Sequence, residues 1–327
     1  MSKLSPKSDV KIFFRLVASR IGQAILAIFG VSILVFALLP LAEGDTAERV
    51  LLARGVENPS APEIAAVREE FGLERPIVVQ YFSWLGRAVR GDFSISYQSK
   101  RPVLHEISEK LPATILLAGL AFSMSLVLSI SFALISAKFY EEFPDRAVQF
   151  LTQISSAVPS FLLGLIILQF VIVGYGVGKV VSNVTFSDAL LPAFCLAFAR
   201  FGSWTQILRA NLLDALNSRY ALTAKARGAS ELRILWRYAL PNAILPFLTV
   251  AGVGIGSLLG GAAIIETVFS WNGIGRYAVQ SVAARDLPVV QGFVIFATLI
   301  YILANLAVDL IAMRLDPRLR EGQNRLR

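Results

Sequence analysis

The chain has 327 residues, of which 55% are hydrophobic and 17% are charged, and its formal net charge is +8. Because a soluble domain of this size carries about 25% charged residues, this composition indicates an integral membrane protein. One cysteine, Cys195, and one histidine, His105, leave no disulfide pair, no His/Cys metal cluster and little material for histidine-assisted nucleophilic catalysis. We therefore expect neither an enzyme nor a bound cofactor.

The N-terminal part of the chain predicts a first membrane span. Five cations between Lys3 and Arg20 precede an apolar run over residues 21–41. This run of 21 residues is longer than the hydrophobic region of a signal peptide, so an uncleaved span is favoured over a cleaved leader. Residues 1–20 then form a basic cytoplasmic N-terminus.

Residues 42–112 are polar and mixed, and we assign them to an extracytoplasmic segment. Ile64, Val67 and Phe71 predict a short amphipathic helix that Gly72 ends, and Pro76 opens a second one that continues towards Gly91. Their apolar stripes require cover, so these helices should lie on the membrane surface or on the spans.

Five further apolar runs form the expected permease core, residues 113–311, before a cytoplasmic tail over residues 312–327. They cover approximately residues 113–137, 154–173, 190–208, 243–268 and 289–311. Four residues within them are candidates for a polar path through the membrane: Pro159, Arg200, Gly256 and Glu266. For Pro159 and Gly256 the alternative is helix packing. Arg200 is expected to face a polar interior or a partner, and the alternative is that it snorkels to the membrane surface.

A glycine-rich stretch over residues 174–179 looks faintly like a phosphate-binding loop. That motif requires a glycine where the chain has Val173 and a serine or threonine where it has Val180. No nucleotide site is predicted, so any ATP must be handled by another chain.

The distribution of positive charge predicts the orientation. With six spans and both termini inside, the short outer loops carry only Lys179, Arg276 and Arg285, and the inner segments carry most other cations. This orientation places residues 209–242 in the cytoplasm.

Within this cytoplasmic segment, residues 220–241 predict a helix–glycine–helix structure, which we call the bracket. Residues 220–227 favour a helix, Gly228 is placed to form a left-handed cap, and Ser230 can cap a second helix. The second helix should bury one apolar face, and Pro241 should limit its length. That face comprises Leu232, Leu235, Trp236, Ala239 and Leu240. The small residues Ala221, Ala224 and Ala226 would let the backbone of a partner approach.

The bracket resembles the coupling loop of the permease subunits of ABC importers. The family pattern, Glu-Ala-Ala followed after three residues by Gly and after nine more by Ile-x-Leu-Pro, matches Leu222-Thr223-Ala224, Gly228 and Tyr238-Ala239-Leu240-Pro241. Leu222 replaces the usual glutamate, as is common in the peptide and nickel branch. The resemblance implies docking in an ATPase cleft through Tyr220, Thr223, Ala224, Gly228, Ala229, Leu232, Leu240 and Pro241.

Motifs outside the bracket resemble the first, B-type permease of the dipeptide, oligopeptide and nickel branch. They are Phe71-Gly72-Leu73-Glu74-Arg75-Pro76, Gly91-Asp92-Phe93-Ser94-Ile95-Ser96, Arg101-Pro102-Val103, Leu111-Pro112-Ala113-Thr114 and Leu315-Asp316-Pro317-Arg318. The resemblance implies an all-α, six-span permease with the type I ABC importer fold in the bacterial inner membrane. It also implies a second permease subunit, two ATP-binding subunits and an extracytoplasmic solute-binding protein.

Two questions stay open at this level. The rival function is an ion-coupled secondary transporter that works without ATPase subunits, with Glu266, Asp309 or Arg200 as relay groups. The substrate is a peptide, nickel or a metal chelate. One histidine, one cysteine and three methionines provide few ligands for a bare transition metal, which favours a peptide or a chelate.

The predicted orientation can be tested by labelling single cysteines. In a Cys195→Ser background, an impermeant thiol reagent added to spheroplasts should label Ser60→Cys and spare Ser230→Cys. The reason is that the charge asymmetry places residue 60 outside and residue 230 inside. Labelling of Ser230→Cys from outside would overturn the orientation.

Overall fold

The computed structural model describes residues 6–41, 45–176 and 184–315. The start of the basic N-terminus, most of the tail over residues 312–327, and Lys179 lie outside the described residues. Within them the protein is helical, and the only extended pairing is an isolated bridge between Ile95 and Pro102. The predicted all-α class is confirmed.

Thirteen α-helices and two π-helical segments make up the described chain. The N-terminal part contains α1 (Pro6–Leu41), α2 (Thr46–Ala53), α3 (Ala61–Phe71), α4 (Ile77–Val89) and α5 (Val103–Lys138). The middle part contains α6 (Phe143–Ala157), α7 (Ser160–Ile167), a π segment (Leu168–Gly174), α8 (Phe186–Leu216) and α9 (Arg219–Ala226). The remainder contains α10 (Glu231–Ile234), a π segment (Leu235–Ala239), α11 (Leu240–Val268), α12 (Ile274–Ala283) and α13 (Leu287–Leu315).

Three helices of the described chain are long and apolar enough to cross a membrane. They cover Val103–Lys138, Glu231–Val268 and Leu287–Ala307, and the bent pair Phe143–Ala157 and Ser160–Gly174 can provide a fourth crossing. In α1 the apolar part, Ile21–Ala37, is shorter. The six-span count and the position of both termini remain predictions.

The expected third span is not one helix. The chain bends by 97° between α6 and α7, where Val158 is extended with φ −88° and ψ 116°. Pro159 causes this break, because a proline pushes the residue before it out of the helical region and supplies no N–H. The span predicted over residues 154–173 thus contains the kink that Pro159 suggested, and its first residues belong to α6 rather than to α7.

Pro241, in contrast, does not end the helix before it. Residues Glu231–Val268 form one helical element, which contains the π segment Leu235–Ala239 directly before the proline. The N–H of Leu240 donates to the carbonyl oxygen of Leu235, five residues back. This wider turn is where the helix takes up the irregularity that a proline introduces into its hydrogen-bond ladder.

Contacts divide the chain into two compact units. Among the described residues, the first contains those of 6–18, 115–271 and 301–315, and the second contains those of 19–114 and 272–300. In the first unit, α8 packs against α6, α7 and α11. A Cβ atom at Gly202 would lie 2.4 Å from the carbonyl oxygen of Thr152, so α6 and α8 approach too closely for any side chain at that position.

The first unit also contains a buried ion pair that joins α6 to α8. The Arg209 guanidinium donates to both carboxylate oxygens of Asp145, with Nε–Oδ1 and Nη2–Oδ2 distances of 2.8 and 2.7 Å. Ser136 of α5 donates to the same carboxylate, and Asp145 is fully buried. A carboxylate in this position is stable only because these donors satisfy it.

In the second unit, α2 and α3 pack together through Ala47, Val50, Leu51 and Val67. A second cluster joins the start of α5 to α12 and α13 through Val103, Ile107, Ile274 and Val289. Both amphipathic helices predicted for this region are present, and Gly72 ends α3 in the left-handed conformation with φ +62°. The segment predicted to be extracytoplasmic, described from residue 45 to residue 112, therefore folds together with residues 272–300.

Because of the buried ion pair, we expect two arginine substitutions to differ in their effect on the stability of the protein. Arg209→Ala leaves Asp145 buried without its counter-charge, so we expect it to lower the free energy of unfolding by about 3–5 kcal/mol. Arg219→Ala, which removes an exposed cation, is the control and should be nearly silent. Denaturant titration in detergent micelles measures both.

The double variant Asp145→Ala/Arg209→Ala completes the test. It should be more stable than Arg209→Ala, because it removes the uncompensated carboxylate as well. Equal stability of Arg209→Ala and Arg219→Ala would contradict a structural role for the pair.

Candidate functional site

The first helix of the bracket is α9. Ser218 caps its N-terminus, where the serine hydroxyl accepts a hydrogen bond from the N–H of Ala221. Lys225 lies in the last turn, where a cation complements the helix dipole. The helix predicted over residues 220–227 is thus present, from Arg219 to Ala226.

Gly228 ends α9 as the sequence predicts. Its N–H donates to the Lys225 carbonyl at 2.9 Å, and the N–H of Ala229 donates to the Ala224 carbonyl at 3.1 Å. Together with a φ of +80° at Gly228, these bonds form a Schellman motif. A Cβ atom at Gly228 would meet no other atom within 4 Å, so only the backbone conformation, and not space within the chain, favours glycine there.

The second helix of the bracket begins after Ser230. The Ser230 hydroxyl accepts from the N–H of Arg233, which confirms the predicted N-cap. From Glu231 onward the chain continues without interruption into the long helix that ends at Val268. The bracket is therefore a direct extension of a membrane-spanning helix.

The interior of the bracket is small and apolar. Ala221, Ala224 and Ile234 are at most 5% exposed and form one cluster. The predicted role of Ala221 and Ala224 as an approach surface for a partner does not fit, because both side chains face the second helix. Small residues here let the two helices of the bracket pack closely.

The outer face of the bracket exposes large apolar side chains. Leu222, Leu232 and Trp236 are 57%, 53% and 55% exposed, and Tyr220 is 41% exposed. Leu222 and Leu232 line a groove of about 290 Å³, across which Lys225 and Glu231 approach to 4.0 Å. That ion pair is exposed and contributes little to stability.

The single buried face predicted for the second helix is wrong in part. Leu235 and Ala239 are buried, but Leu232 and Trp236 are exposed. The reason is that α9 packs against the side of this helix that carries Ile234, which turns Leu232 and Trp236 outward. Helical periodicity alone does not show where a neighbouring helix will lie.

The four residues proposed for a polar path lie in different environments. Pro159 is exposed at the break before α7, Arg200 is half-buried in α8, and Glu266 is fully buried near the end of α11. A Cβ atom at Gly256 would lie 2.3 Å from the Tyr301 ring, so this glycine permits close packing against α13. The relay candidate Asp309 has a side chain outside the described ones.

Sequence reasoning missed the Asp145–Arg209–Ser136 cluster next to these helices. The three residues come from α5, α6 and α8, and Asp145 and Arg209 are 64 positions apart. The only sequence signal was a pair of opposite charges close to apolar runs, which does not identify partners.

Comparisons with known proteins agree with this architecture. The family model described as binding-protein-dependent transport system inner membrane component matches residues 129–321, and the model of the corresponding N-terminal region matches residues 13–118. A protein of Brucella abortus (strain 2308), named as a peptide transport system permease, is 34% identical over 93% of this chain and 98% of its own length. The glutathione transport system permease GsiC of Escherichia coli (strain K12) is 33% identical with the same coverage.

Solved structures show the same fold. The MetNI methionine ABC transporter, in an inward-facing conformation, matches with a TM-score of 0.55 and 15% identity over 64% of this chain and 96% of that one. An amino acid ABC transporter crystallised with histidines gives a TM-score of 0.52 and 17% identity over 64% and 94%. Together with the sequence relatives, these matches show that the chain belongs to the binding-protein-dependent transport system inner membrane components, and that it is an ABC importer permease of the peptide-transport branch.

Proposed function

We propose that this chain is one of two permease subunits of a bacterial importer that takes up short peptides by alternating access. The observation that carries the proposal is the bracket, a rigid helical pair with an exposed apolar outer face. The full partner set consists of a second, homologous permease, two ATP-binding subunits and an extracytoplasmic solute-binding protein.

The bracket has the properties expected of a surface that binds the ATPase subunit and transmits its movement. Exposed Leu222, Leu232 and Trp236 provide apolar area outside the unit's own core, and contiguous exposed apolar area of this kind is typical of a protein interface. Because the second helix of the bracket continues into α11, a displacement of the docked bracket moves the intracellular end of a span. ATP-driven closure of the ATPase pair is the natural source of this displacement.

The N-terminal end of the bracket is also attached to a long helix, α8. Only Asn217 separates Ser218 from the end of α8, and the N–H of Ser218 donates to the carbonyl of Ala215. The helices α8 and α11 pack against each other, so both ends of the bracket are joined to one helix pair. A load on the bracket is therefore transmitted to that pair rather than absorbed by a loose connection.

The path residues remain part of the proposal. Arg200 is half-buried on α8 and Glu266 is buried on α11, and intramembrane ionisable groups commonly mark solute pathways. Pro159 supports a path differently, since the break it causes separates α6 from α7. For Gly256 the contact with Tyr301 favours the packing role.

The relatives favour a peptide as the substrate. Those compared above are named for peptide and for glutathione transport, and glutathione is itself a short peptide. Nickel, bare or as a chelate, has no such support. The ion-coupled secondary transporter is disfavoured, because it leaves the bracket without a function.

Gly228 provides a test of docking that does not disturb internal packing. Gly228→Val places a β-branched side chain at φ +80°, which strains the cap by about 1–2 kcal/mol and adds bulk to the outer face. We expect normal membrane insertion with at least a tenfold loss of co-purified ATPase or of peptide uptake in proteoliposomes. Gly86→Val, at another glycine with open space, is the matched control and should retain both. Full association and uptake in Gly228→Val would contradict the coupling role.

Trp236 provides a second test, on the apolar surface itself. Trp236→Ala removes an exposed side chain, so it should leave the melting temperature unchanged. Interface tryptophans often cost 2 kcal/mol or more when truncated, so ATPase association should weaken about 30-fold. Phe82→Ala, which removes a similarly exposed aromatic of α4, should have no effect on association. Unchanged ATPase affinity in Trp236→Ala would exclude this face as the contact.

A further inference from the structure

The second unit contains a cavity of about 580 Å³ that has no part in the bracket. Its walls come from Phe36 of α1, from the segment between the first and second predicted spans, and from the first turns of α13. Trp84 provides an apolar wall, and the polar lining includes Arg87, Asp92, Lys100 and Gln291. This volume lies within the range of small-molecule sites, about 300–1,000 Å³.

One side of the cavity is formed by a tight loop, residues 91–102, which a buried aspartate fixes. One carboxylate oxygen of Asp286 accepts from the Ser96 hydroxyl at 2.5 Å and from the N–H of Gln98 at 3.2 Å. Asp286 is fully buried, so the loop has a strong and specific anchor.

The backbone of this loop is held in an unusual conformation at two residues that line the cavity. Ser94 and Lys100 have φ values of +66° and +58°, in a region of backbone conformation that residues other than glycine rarely adopt. A hydrogen bond from the N–H of Lys100 to the Ser96 carbonyl helps to maintain this geometry. Such strain persists where the surrounding structure determines a conformation, and it concentrates at binding sites.

The charged residues of the lining fall into two groups. Arg54 and Glu70 satisfy each other through two hydrogen bonds of 3.0 and 2.8 Å, and the guanidinium lowers the pKa of Glu70 from its usual value. The side chains of Arg87 and Lys100 have no hydrogen bond or ion pair with any described residue. Two cations are thus available to a ligand.

Gln291 adds a buried donor to the same cavity. This residue is 5% exposed, and within the described part of the chain its amide nitrogen has no hydrogen-bond partner. A buried donor without a partner is destabilising, and an acceptor on a ligand removes that cost. A ligand that satisfies the Gln291 amide must therefore offer a hydrogen-bond acceptor such as a carbonyl or carboxylate oxygen.

We propose that this cavity binds a short peptide, with its C-terminal carboxylate at Arg87 and Lys100 and a carbonyl oxygen at the Gln291 amide. Asp92 is placed to receive the peptide ammonium group, and Trp84 to contact an apolar side chain. The choice of a peptide rests on the proposed function. None of the polar path candidates lines this cavity, and the site gives the permease its own contact with the solute.

The charge balance favours a zwitterion over the phosphate of a lipid headgroup. The lining carries three cations, Arg54, Arg87 and Lys100, against two carboxylates, Glu70 and Asp92. A phosphate group would be repelled by both carboxylates, whereas a peptide carries a negative charge at one end and a positive charge at the other. An anionic phospholipid is the alternative that the experiment must separate.

The test measures binding of tritiated Ala-Phe to the complete permease–ATPase complex, without solute-binding protein, in phosphatidylcholine nanodiscs. We expect Arg87→Gln and Gln291→Leu each to weaken binding at least tenfold, and the amidated peptide Ala-Phe-NH₂ to compete at least tenfold less well than Ala-Phe. Arg90→Gln, which neutralises an exposed neighbour that does not line the cavity, is the matched control and should bind as the unaltered complex does. Retained ATPase activity of each variant shows that the complex is assembled.

Unchanged affinity in both Arg87→Gln and Gln291→Leu overturns the proposal. Ala-Phe affinity that is unchanged in both variants, together with phosphatidylglycerol that co-purifies with the unaltered complex and is lost in Arg87→Gln, assigns the cavity to an anionic lipid and also overturns it. Uptake of Ala-Phe by proteoliposomes that contain the solute-binding protein is measured in parallel. If the unaltered complex takes up Ala-Phe but neither variant changes binding, only this inference fails. If the complex takes up no short peptide, the proposed substrate is wrong.

Discussion

The continuity of one helical element, Glu231–Val268, is the constraint on which the first unit depends. A proline lies within this element, and the chain accommodates it with a π segment instead of a break. The bracket is consequently attached to its span without a hinge residue. Had Pro241 ended the helix as Pro159 does, a load on the bracket would reach the membrane only through a bend. The two prolines show that the same residue can divide or preserve a span, according to the backbone geometry before it.

Buried carboxylates serve a common purpose in each unit. In the first, Asp145 joins α6 to α8 through Arg209, and in the second, Asp286 holds the loop over residues 91–102 through Ser96. Each carboxylate would be costly without its donors, so each fixes one arrangement of segments that are far apart in the sequence. In the second unit the fixed loop presents Lys100 to the cavity that we propose binds a peptide.

The bracket divides its apolar residues between two tasks. Ala221, Ala224 and Ile234 form its interior, whereas Leu222, Leu232 and Trp236 remain outside. An isolated soluble hairpin would gain by burying those larger side chains, so their exposure fits a surface that a partner covers. Gly228 lies between the two helices, and its lack of a side chain leaves the outer surface open.

Local signals in the sequence determined the helical class, the membrane character, and the caps at Gly72, Gly228 and Ser230. Each of these depends on residues a few positions apart, and the family motifs added the permease identity. The sequence did not determine that Pro159 breaks its span and Pro241 does not, because that depends on how neighbouring turns rearrange. It also did not determine that Leu232 faces outward, that Arg209 pairs with Asp145, or that Gln291 lines a cavity. These features were decided by the tertiary structure alone, because they depend on which helix packs against which face, and hydrophobic periodicity fixes a face but not its partner.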